Sequence, residues 1–336
     1  MTAKVKREIL RWYFYLLISI MAIVILFSMM TLWNSSNLSS NLSSHPRPAK
    51  SYTEAMTLVN TLQSEELQMN TLCRTQLMTH GKKTDRAIIL VHGYTNCPQQ
   101  FHELGKHLYE SGYNVLIAPL PYHGLADRMT EAHARLTAEK LSVYADKTVD
   151  IAQGLGESVT MMGISAGGVT TAWAAQNRSD IDLAVIISPA FGFKQIPTFW
   201  TELVMHVMLF LPDGFEWWNP VLKENEPPPH AYPRYSRHAL AEILRLGFAV
   251  KSDATHKAPT AKKMVIVFNQ NDTTINNEMT EEMATIWQAH HTNLTKYQLE
   301  ADLKLPHDII DPGQPAQKIN IVYPRLMELM KQAAST

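Results

Sequence analysis

The sequence contains 336 residues, of which 46% are hydrophobic, and it has a formal net charge of −1. This composition supplies enough apolar material for one large globular core and is not that of a disordered or fibrous chain. Basic residues form only short clusters such as Lys82-Lys83 and Lys262-Lys263, which argues against nucleic-acid binding. No HExxH, P-loop or dinucleotide glycine pattern occurs, so we expect neither a metal nor a nucleotide cofactor.

The N-terminal segment has the features of a membrane anchor. Residues 12–33, from Trp12 to Trp33, contain no charged side chain, and about 22 helical residues suffice to cross a bilayer core. Residues 1–11 carry four basic side chains and the next basic residue is Arg47, so the positive-inside rule predicts a cytoplasmic N-terminus. The remaining chain would then be extracytoplasmic, and periplasmic in a Gram-negative bacterium. A cleaved secretory signal and a cytosolic hydrophobic hairpin are the alternatives.

The segment after this anchor is rich in Ser, Asn and Pro. Such a composition cannot form a core, and we expect residues 34–50 to be a flexible stalk between the anchor and a catalytic domain at residues 51–336. N-x-[ST] triplets begin at Asn34, Asn37 and Asn41, which leaves glycosylation open.

The chain has two cysteines, Cys73 and Cys97, both in the part expected to be extracytoplasmic. An oxidising compartment would allow them to pair, and two buried free thiols are the alternative. A disulfide would close a loop of about 24 residues and stabilise the fold by roughly 3 kcal/mol. Neither cysteine has the spacing of a redox or zinc motif.

From about residue 86, apolar runs alternate with helical patterns. Strands are predicted at Ala87–Val91, Asn114–Ala118, Val159–Met162, Leu183–Ile187, Met264–Phe268 and Thr295–Leu299. Helices are predicted at Gln100–Ser111, Thr137–Gly154, Gly167–Asn177, Asn277–His290 and Pro315–Gln332. Runs that are apolar at consecutive positions suit strands buried on both faces of a parallel sheet. The order therefore predicts a mostly parallel, doubly wound α/β fold.

Residues 191–262 interrupt this alternation with a long segment rich in aromatic residues. The segment is too long for a plain connection, so we expect a helical cap inserted over the functional site. Its aromatic side chains are expected mainly to form the core of the cap, with contact to a ligand or to lipid as the alternatives.

The strongest local motif is G-x-S-x-G at residues 163–167. A serine on a sharp strand-to-helix turn has a strained backbone, so small residues such as Gly163 and Gly167 are needed on either side. The turn would expose the Ser165 hydroxyl at the carboxyl edge of the sheet and at the N-terminal end of a helix. We therefore expect Ser165 to be a nucleophile.

A serine nucleophile needs a general base, and that base needs a group that orients it. Asp272 follows the predicted strand at 264–268, and His307 follows the last predicted strand. The other acids in this part of the chain are Asp302, Asp308 and Asp311. We expect Asp272 to orient His307, because Asp272 alone leaves a separate strand at the same sheet edge.

The loop that begins at His92-Gly93 follows the first predicted strand. Backbone N–H groups of Tyr94 and Ala166 are expected to form an oxyanion hole, each contributing roughly 3–4 kcal/mol. We interpret His92 as a residue that fixes the loop, and we expect His123 to line the same pocket without reacting.

This set of residues, which spans residues 86–332, resembles the α/β-hydrolase superfamily. The sequence HGYTNCPQ from His92 is similar to the HGFTG-type loop of small bacterial carboxylesterases and monoacylglycerol lipases. The resemblance implies an α/β-hydrolase fold, a Ser-Asp-His triad and a cap over the site. In this sequence Asn96 and Cys97 stand where a small Gly/Ser pair is usual, and the cap is longer than in the smallest esterases.

The expected function is hydrolysis of a small-molecule or lipid carboxylic ester through an acyl-enzyme. Thioester cleavage and acyl transfer use the same triad and remain open, as does peptidase activity. A membrane-tethered, non-catalytic binding module is the alternative from another class.

Overall fold

The computed structural model describes residues 11–19, 21 and 42–335 and separates the chain into two compact units, residues 1–41 and 42–336. In the first unit, residues 11–19 are helical. Most of the anchor predicted at 12–33 lies outside the described residues, as do residues 34–41 of the predicted stalk. Within the described part of the chain, no helix combines the length and apolarity that membrane crossing requires.

The second unit is built on a seven-stranded sheet. Its strands are β1 Gln76–Met78, β2 Thr84–Val91, β3 Tyr113–Ile117, β4 Gly156–Ile164, β5 Leu183–Ile187, β8 Met264–Asn269 and β9 Leu294–Leu299. Their order across the sheet is β1-β3-β2-β4-β5-β8-β9. Only β1 runs antiparallel to its neighbour, and every other pairing within the sheet is parallel. The predicted mostly parallel sheet is therefore confirmed.

Helices cover both faces of this sheet. The α-helices of this unit are α1 Tyr52–Ser64, α2 His102–Glu110, α3 Ala138–Leu155, α4 Ala166–Asn177, α5 Thr201–Phe210, α6 Arg237–His256, α7 Asn277–Ala289 and α8 Ile319–Ser335, and of these α5 packs on α6 in the cap region described below. Buried side chains form one core on each face, and β2 contributes to both: Ile89 faces one and Ile88 the other. This two-sided burial explains why the strands are apolar at consecutive positions.

The prediction of a flexible stalk is wrong for residues 42–50. Leu42 is buried and its carbonyl accepts a hydrogen bond from Trp173 Nε1 at 3.1 Å. The carboxylate of Asp146 on α3 accepts hydrogen bonds from Ser44 Oγ at 2.5 Å and from the His45 N–H at 2.7 Å. The segment packs because α3 offers acceptors that its polar residues can reach, which the composition of the segment alone does not reveal.

The predicted cap region, residues 191–262, connects β5 to β8 and contains α5 and α6. It is not entirely helical, because β6 Phe215–Trp217 and β7 Arg234–Ser236 pair as an antiparallel hairpin between the two helices. Helix α6 packs against α4, the helix that follows the serine turn. The cap is thereby attached to the element that carries the candidate nucleophile.

Candidate active site

Ser165 occupies a strained turn between β4 and α4. Its backbone has φ 58° and ψ −117°, a conformation that costs an L-residue about 1–3 kcal/mol. A Cβ atom at Gly163 would lie 2.2 Å from the Gly167 carbonyl oxygen, and one at Gly167 would lie 2.1 Å from the Val91 carbonyl oxygen. The surrounding backbone thus requires glycine at both positions, and the turn brings Ser165 to the carboxyl edge of the sheet.

His307 and Asp272 meet at the same edge. His307 Nδ1 lies 2.7 Å from Asp272 Oδ2, and Asp272 Oδ1 accepts hydrogen bonds from the N–H groups of Thr274 and Ile275 at 2.8 and 2.9 Å. In a neutral imidazole this contact assigns the proton to Nδ1 and leaves Nε2 as a base. The Asp272 side chain is fully buried, so its negative charge interacts mainly with His307 and the two backbone N–H groups and is little screened by water.

The electrostatics of this pair favour its charged form. Burial alone would lower the pKa of His307, but the carboxylates of Asp272 and Asp308 raise that pKa above its ordinary value. Burial alone would raise the pKa of Asp272, but His307 and the two backbone N–H groups hold it below its ordinary value. The arrangement can therefore stabilise an imidazolium formed during a reaction.

Ser165 and His307 line one pocket of about 350 Å³, together with Gly93, Tyr94 and Ala166. The loop at residues 93–96 passes directly over the serine, since a Cβ atom at Gly93 would lie 3.5 Å from Ser165 Cβ. The nucleophile, base and oxyanion-loop residues predicted from sequence thus lie around a single cavity. Asp272 does not line the pocket and contacts it through His307.

The cap closes part of this pocket. Its lining residues from the cap region include Phe193, Trp218, Tyr232, Leu240 and Ile243. Trp218 Nε1 donates a hydrogen bond to Thr95 Oγ1 at 2.8 Å, and the Tyr232 N–H donates to the Thr95 carbonyl at 2.7 Å. Because Thr95 belongs to the loop above Ser165, the cap and the loop are joined directly. The aromatic side chains of the cap therefore serve as pocket lining as well as cap core.

The geometry can be compared with known proteins. A protein-family model described as serine aminopeptidase, S33 (Hydrolase_4) matches residues 82–298, more than half of the chain. The chain belongs to this family. Its members have the α/β-hydrolase fold, and membership supports a hydrolase of the esterase or lipase type at the level of the family.

Solved structures share the fold of this family member at low identity. One of the metagenome-derived lipolytic enzymes LipS and LipT superposes with a TM-score of 0.58 at 18% identity, covering 79% of this chain and 100% of the other. A monoglyceride lipase of Saccharomyces cerevisiae gives 0.58 at 14% identity, covering 77% and 90%. The monoacylglycerol lipase of Paleococcus ferrophilus gives 0.56 at 16% identity, covering 77% and 98%. No curated protein was found to match the sequence.

His92 is tied to the backbone through both ring nitrogens. Its Nε2 accepts from the Leu120 N–H at 2.9 Å, and its Nδ1 lies 2.8 Å from the Gly93 carbonyl oxygen, to which it donates in the neutral form. Burial and nearby His123 lower the pKa of His92 well below its ordinary value. A neutral imidazole with both nitrogens engaged fixes the start of the loop and has no lone pair free to act as a base.

The expectation that His123 lines the pocket is wrong. His123 is buried behind the loop, in ring contact with His92, Tyr94, His133 and Tyr232. Burial lowers the pKa of His123 to about 4. Its ring packs in this aromatic cluster, and His123 is not among the residues that line the pocket around Ser165.

Sequence reasoning missed a polar cluster beside His307 in which every member except the half-buried Asp308 is buried. We call it the Asp308 network and define it by Asn96, Gln100, His230, Asp308 and Asp311. Asn96 Nδ2 lies 3.2 Å from Asp308 Oδ2 and 3.3 Å from Asp311 Oδ2, and His230 Nε2 lies 2.8 Å from the same Asp311 oxygen. His230 belongs to the cap, so the network joins the loop over Ser165, the segment after His307 and the cap. Only the departure at Asn96 hinted at it in the sequence.

In the structure Cys73 and Cys97 form a disulfide, with their Cα atoms 5.2 Å apart. Cys97 directly follows Asn96, and its N–H donates to Asn96 Oδ1 at 2.8 Å. Both cysteines are fully buried. The disulfide thus fixes the far end of the loop that passes over Ser165.

Proposed function

We propose that this protein hydrolyses carboxylic esters through a covalent acyl-enzyme. The observation that carries the proposal is the meeting of three features at one cavity: the strained Ser165 turn, the 2.7 Å contact between His307 and Asp272, and the overlying loop at residues 93–96. Each feature supplies one requirement of acyl transfer, namely a nucleophile, an oriented base and backbone donors.

In the proposed mechanism, Ser165 Oγ attacks the ester carbonyl carbon while His307 Nε2 takes the hydroxyl proton. The carbonyl oxygen becomes an oxyanion that accepts hydrogen bonds from the N–H groups of Tyr94 and Ala166. The imidazolium, stabilised by Asp272, then protonates the leaving alcohol as the carbon–oxygen bond breaks. Water, deprotonated by His307, attacks the acyl carbon; the bond from that carbon to Ser165 Oγ then breaks, His307 returns the proton to Oγ, and the acid is released. Thioester cleavage or acyl transfer would require only a different leaving group or acceptor.

Labelling with a fluorophosphonate tests this proposal, because the probe reacts with activated serine hydroxyls. Full-length wild-type protein should be labelled strongly, whereas the Ser165→Ala and His307→Ala variants should not. A chain-length series of p-nitrophenyl esters, run beside a matched amide and a thioester, then separates esterase, peptidase and thioesterase activity. Absence of labelling in wild type would instead favour a non-catalytic binding module.

We further propose that residues 12–33 anchor the protein in a membrane and that its substrate is a lipid ester. The anchor is supported by the uncharged run from Trp12 to Trp33 and by the basic residues before it. Full-length protein should float with vesicles in a density gradient, and a chain beginning at Leu42 should not. A higher rate on short water-soluble esters than on vesicle-borne esters would contradict the lipid substrate.

A further inference from the structure

A chain of hydrogen bonds links the loop above Ser165 with the segment that carries His307. The Gly93 N–H donates to Gln100 Oε1 at 2.8 Å, and Gln100 Nε2 donates to Asp308 Oδ2 at 2.8 Å. The Gln100 side chain is buried although it contributes to the pocket lining, and loss of either partner would leave a poorly solvated amide group. One glutamine therefore spans the two segments that must face each other across the pocket.

Asp308 in turn fixes the backbone that follows His307. Its Oδ1 accepts hydrogen bonds from the N–H groups of Ile310 and Asp311, both at 3.1 Å. Its Oδ2 also accepts from Gln314 Nε2 at 3.2 Å, in addition to Gln100. All of these groups donate to the Asp308 carboxylate, so this one side chain holds the backbone that follows His307.

The loop over Ser165 is held at its start by His92, at its far end by the disulfide and at Thr95 by the cap. Gln100 is the side chain that holds the Gly93 N–H. The loop lies beyond the end of β2 and has no strand partner, and Thr95 within it has a φ of 66°. An irregular loop of this kind keeps its shape through side-chain contacts. The contact between Gly93 and Gln100 holds the peptide immediately before the Tyr94 N–H that the mechanism requires as a donor.

We propose that Gln100 and Asp308 are positioning residues that set the place of the Tyr94 N–H relative to Ser165 and His307. The inference rests on the function proposed above. Neither residue forms or breaks a bond in the reaction. Their role is to fix the position of the Tyr94 N–H relative to His307. A misplacement of about 1 Å in such a site reduces turnover on the order of 10²-fold.

The test uses two buried glutamines with matched hydrogen bonding. Gln100→Met keeps the approximate length of the side chain but removes both hydrogen bonds. Gln176→Met is the control, because Gln176 is also buried and uses both ends of its amide, donating to the Lys257 carbonyl at 3.1 Å and accepting from Trp287 Nε1 at 2.8 Å. Gln176 does not line the pocket, whereas Gln100 and Asp308 do, so KM is measured to detect any direct effect of Gln100→Met on substrate binding.

For Gln100→Met we expect kcat for a p-nitrophenyl ester to fall on the order of 10²-fold, with KM changed by less than about threefold. Affinity for a trifluoromethyl ketone, which forms a tetrahedral adduct with the serine, should fall in parallel with kcat/KM. Gln176→Met should lower Tm to a similar extent but leave kcat and ketone affinity unchanged. Retention of wild-type kcat in Gln100→Met, or equal losses in the two variants, would overturn the proposal.

A double-mutant cycle with Asp308→Asn provides the second arm. If the two residues act as one link, the double variant should lose no more activity than the worse single variant. Losses that multiply would overturn the link. Fluorophosphonate labelling of wild type separates the proposed function from the role proposed for Gln100. An unlabelled wild type contradicts both. A labelled wild type with wild-type kcat in Gln100→Met contradicts only the role of Gln100.

Discussion

The serine turn at residues 163–167 and the Asp308 network shape the same pocket but are held in different ways. The turn is held by backbone sterics among residues close in sequence and on the neighbouring strand, where any Cβ at Gly163 or Gly167 would clash. The network is held by side chains far apart in sequence, with Gln100 and Asp308 separated by 208 positions. A steric turn leaves a local motif in the sequence, whereas a distant hydrogen bond leaves none.

The largest expected effect is at the turn. Ser165→Ala removes the nucleophile and should lower kcat on the order of 10⁶-fold, leaving only the contribution of binding and the oxyanion donors. Steady-state hydrolysis of a p-nitrophenyl ester measures the loss, and far-ultraviolet circular dichroism checks that the fold is kept. Residual activity above about 1% would show that another residue acts as nucleophile.

Asp272→Asn should come next, with kcat lowered on the order of 10⁴-fold because the asparagine no longer selects the required tautomer of His307. His307 must be neutral to act as base, so activity is lost as pH falls through its pKa. Since Asp272 raises that pKa above 6.5 in wild type, the acid limb of kcat/KM should move to lower pH in the variant. A pH–rate profile in which the acid limb does not move would contradict the assignment of His307 as the base.

Removing the disulfide tests how much the bond between Cys73 and Cys97 stabilises the domain. The double substitution Cys73→Ser and Cys97→Ser should lower the free energy of unfolding by roughly 3 kcal/mol, because the unfolded chain regains the entropy of the closed loop. Urea denaturation measures the difference, with wild type under reducing conditions as the comparison. A midpoint equal to that of the oxidised wild type would show that the link does not stabilise the domain.

The smallest effect concerns the strain at the turn itself. Glycine tolerates φ near 58°, so Ser165→Gly should be more stable than Ser165→Ala by about 1 kcal/mol, although both variants are inactive. The alanine variant is the matched control because it removes the hydroxyl but keeps the strain. Equal unfolding midpoints for the two variants would mean that the turn costs the protein no stability.

The contrast between the two regions also explains what the sequence could predict. The inner strands of the parallel sheet were recognisable because each contains a run that is buried on both faces and mostly apolar, whereas the edge strand β9 is half exposed. The three-residue β1 and the β6–β7 hairpin lack such runs and were missed. Helix α1 was missed as well, although Ser51 caps it by accepting from the Glu54 N–H, a local signal that the sequence does contain.

The candidate site divides in the same way. Ser165, Asp272 and His307 could be proposed because each follows a strand at the same sheet edge, and the geometry of such a sheet brings those ends together. Gln100 could not be proposed, since a glutamine in a helix-like segment has no pattern that indicates a partner at Asp308. The stalk prediction failed at residues 42–50 because composition does not show which acceptors a polar segment can reach.

The packing of residues 42–50 bears on how a mechanical load would enter the domain. Arg178 is fully buried and forms ion pairs with Asp146 and Asp150 on α3, whose carboxylates also accept the N–H groups of His45 and Arg47. A pull applied at Leu42 would act on several of these bonds at once. If the N-terminal segment is fixed in a bilayer, a force on the chain would act on these hydrogen bonds and ion pairs before it reached the strands of the sheet.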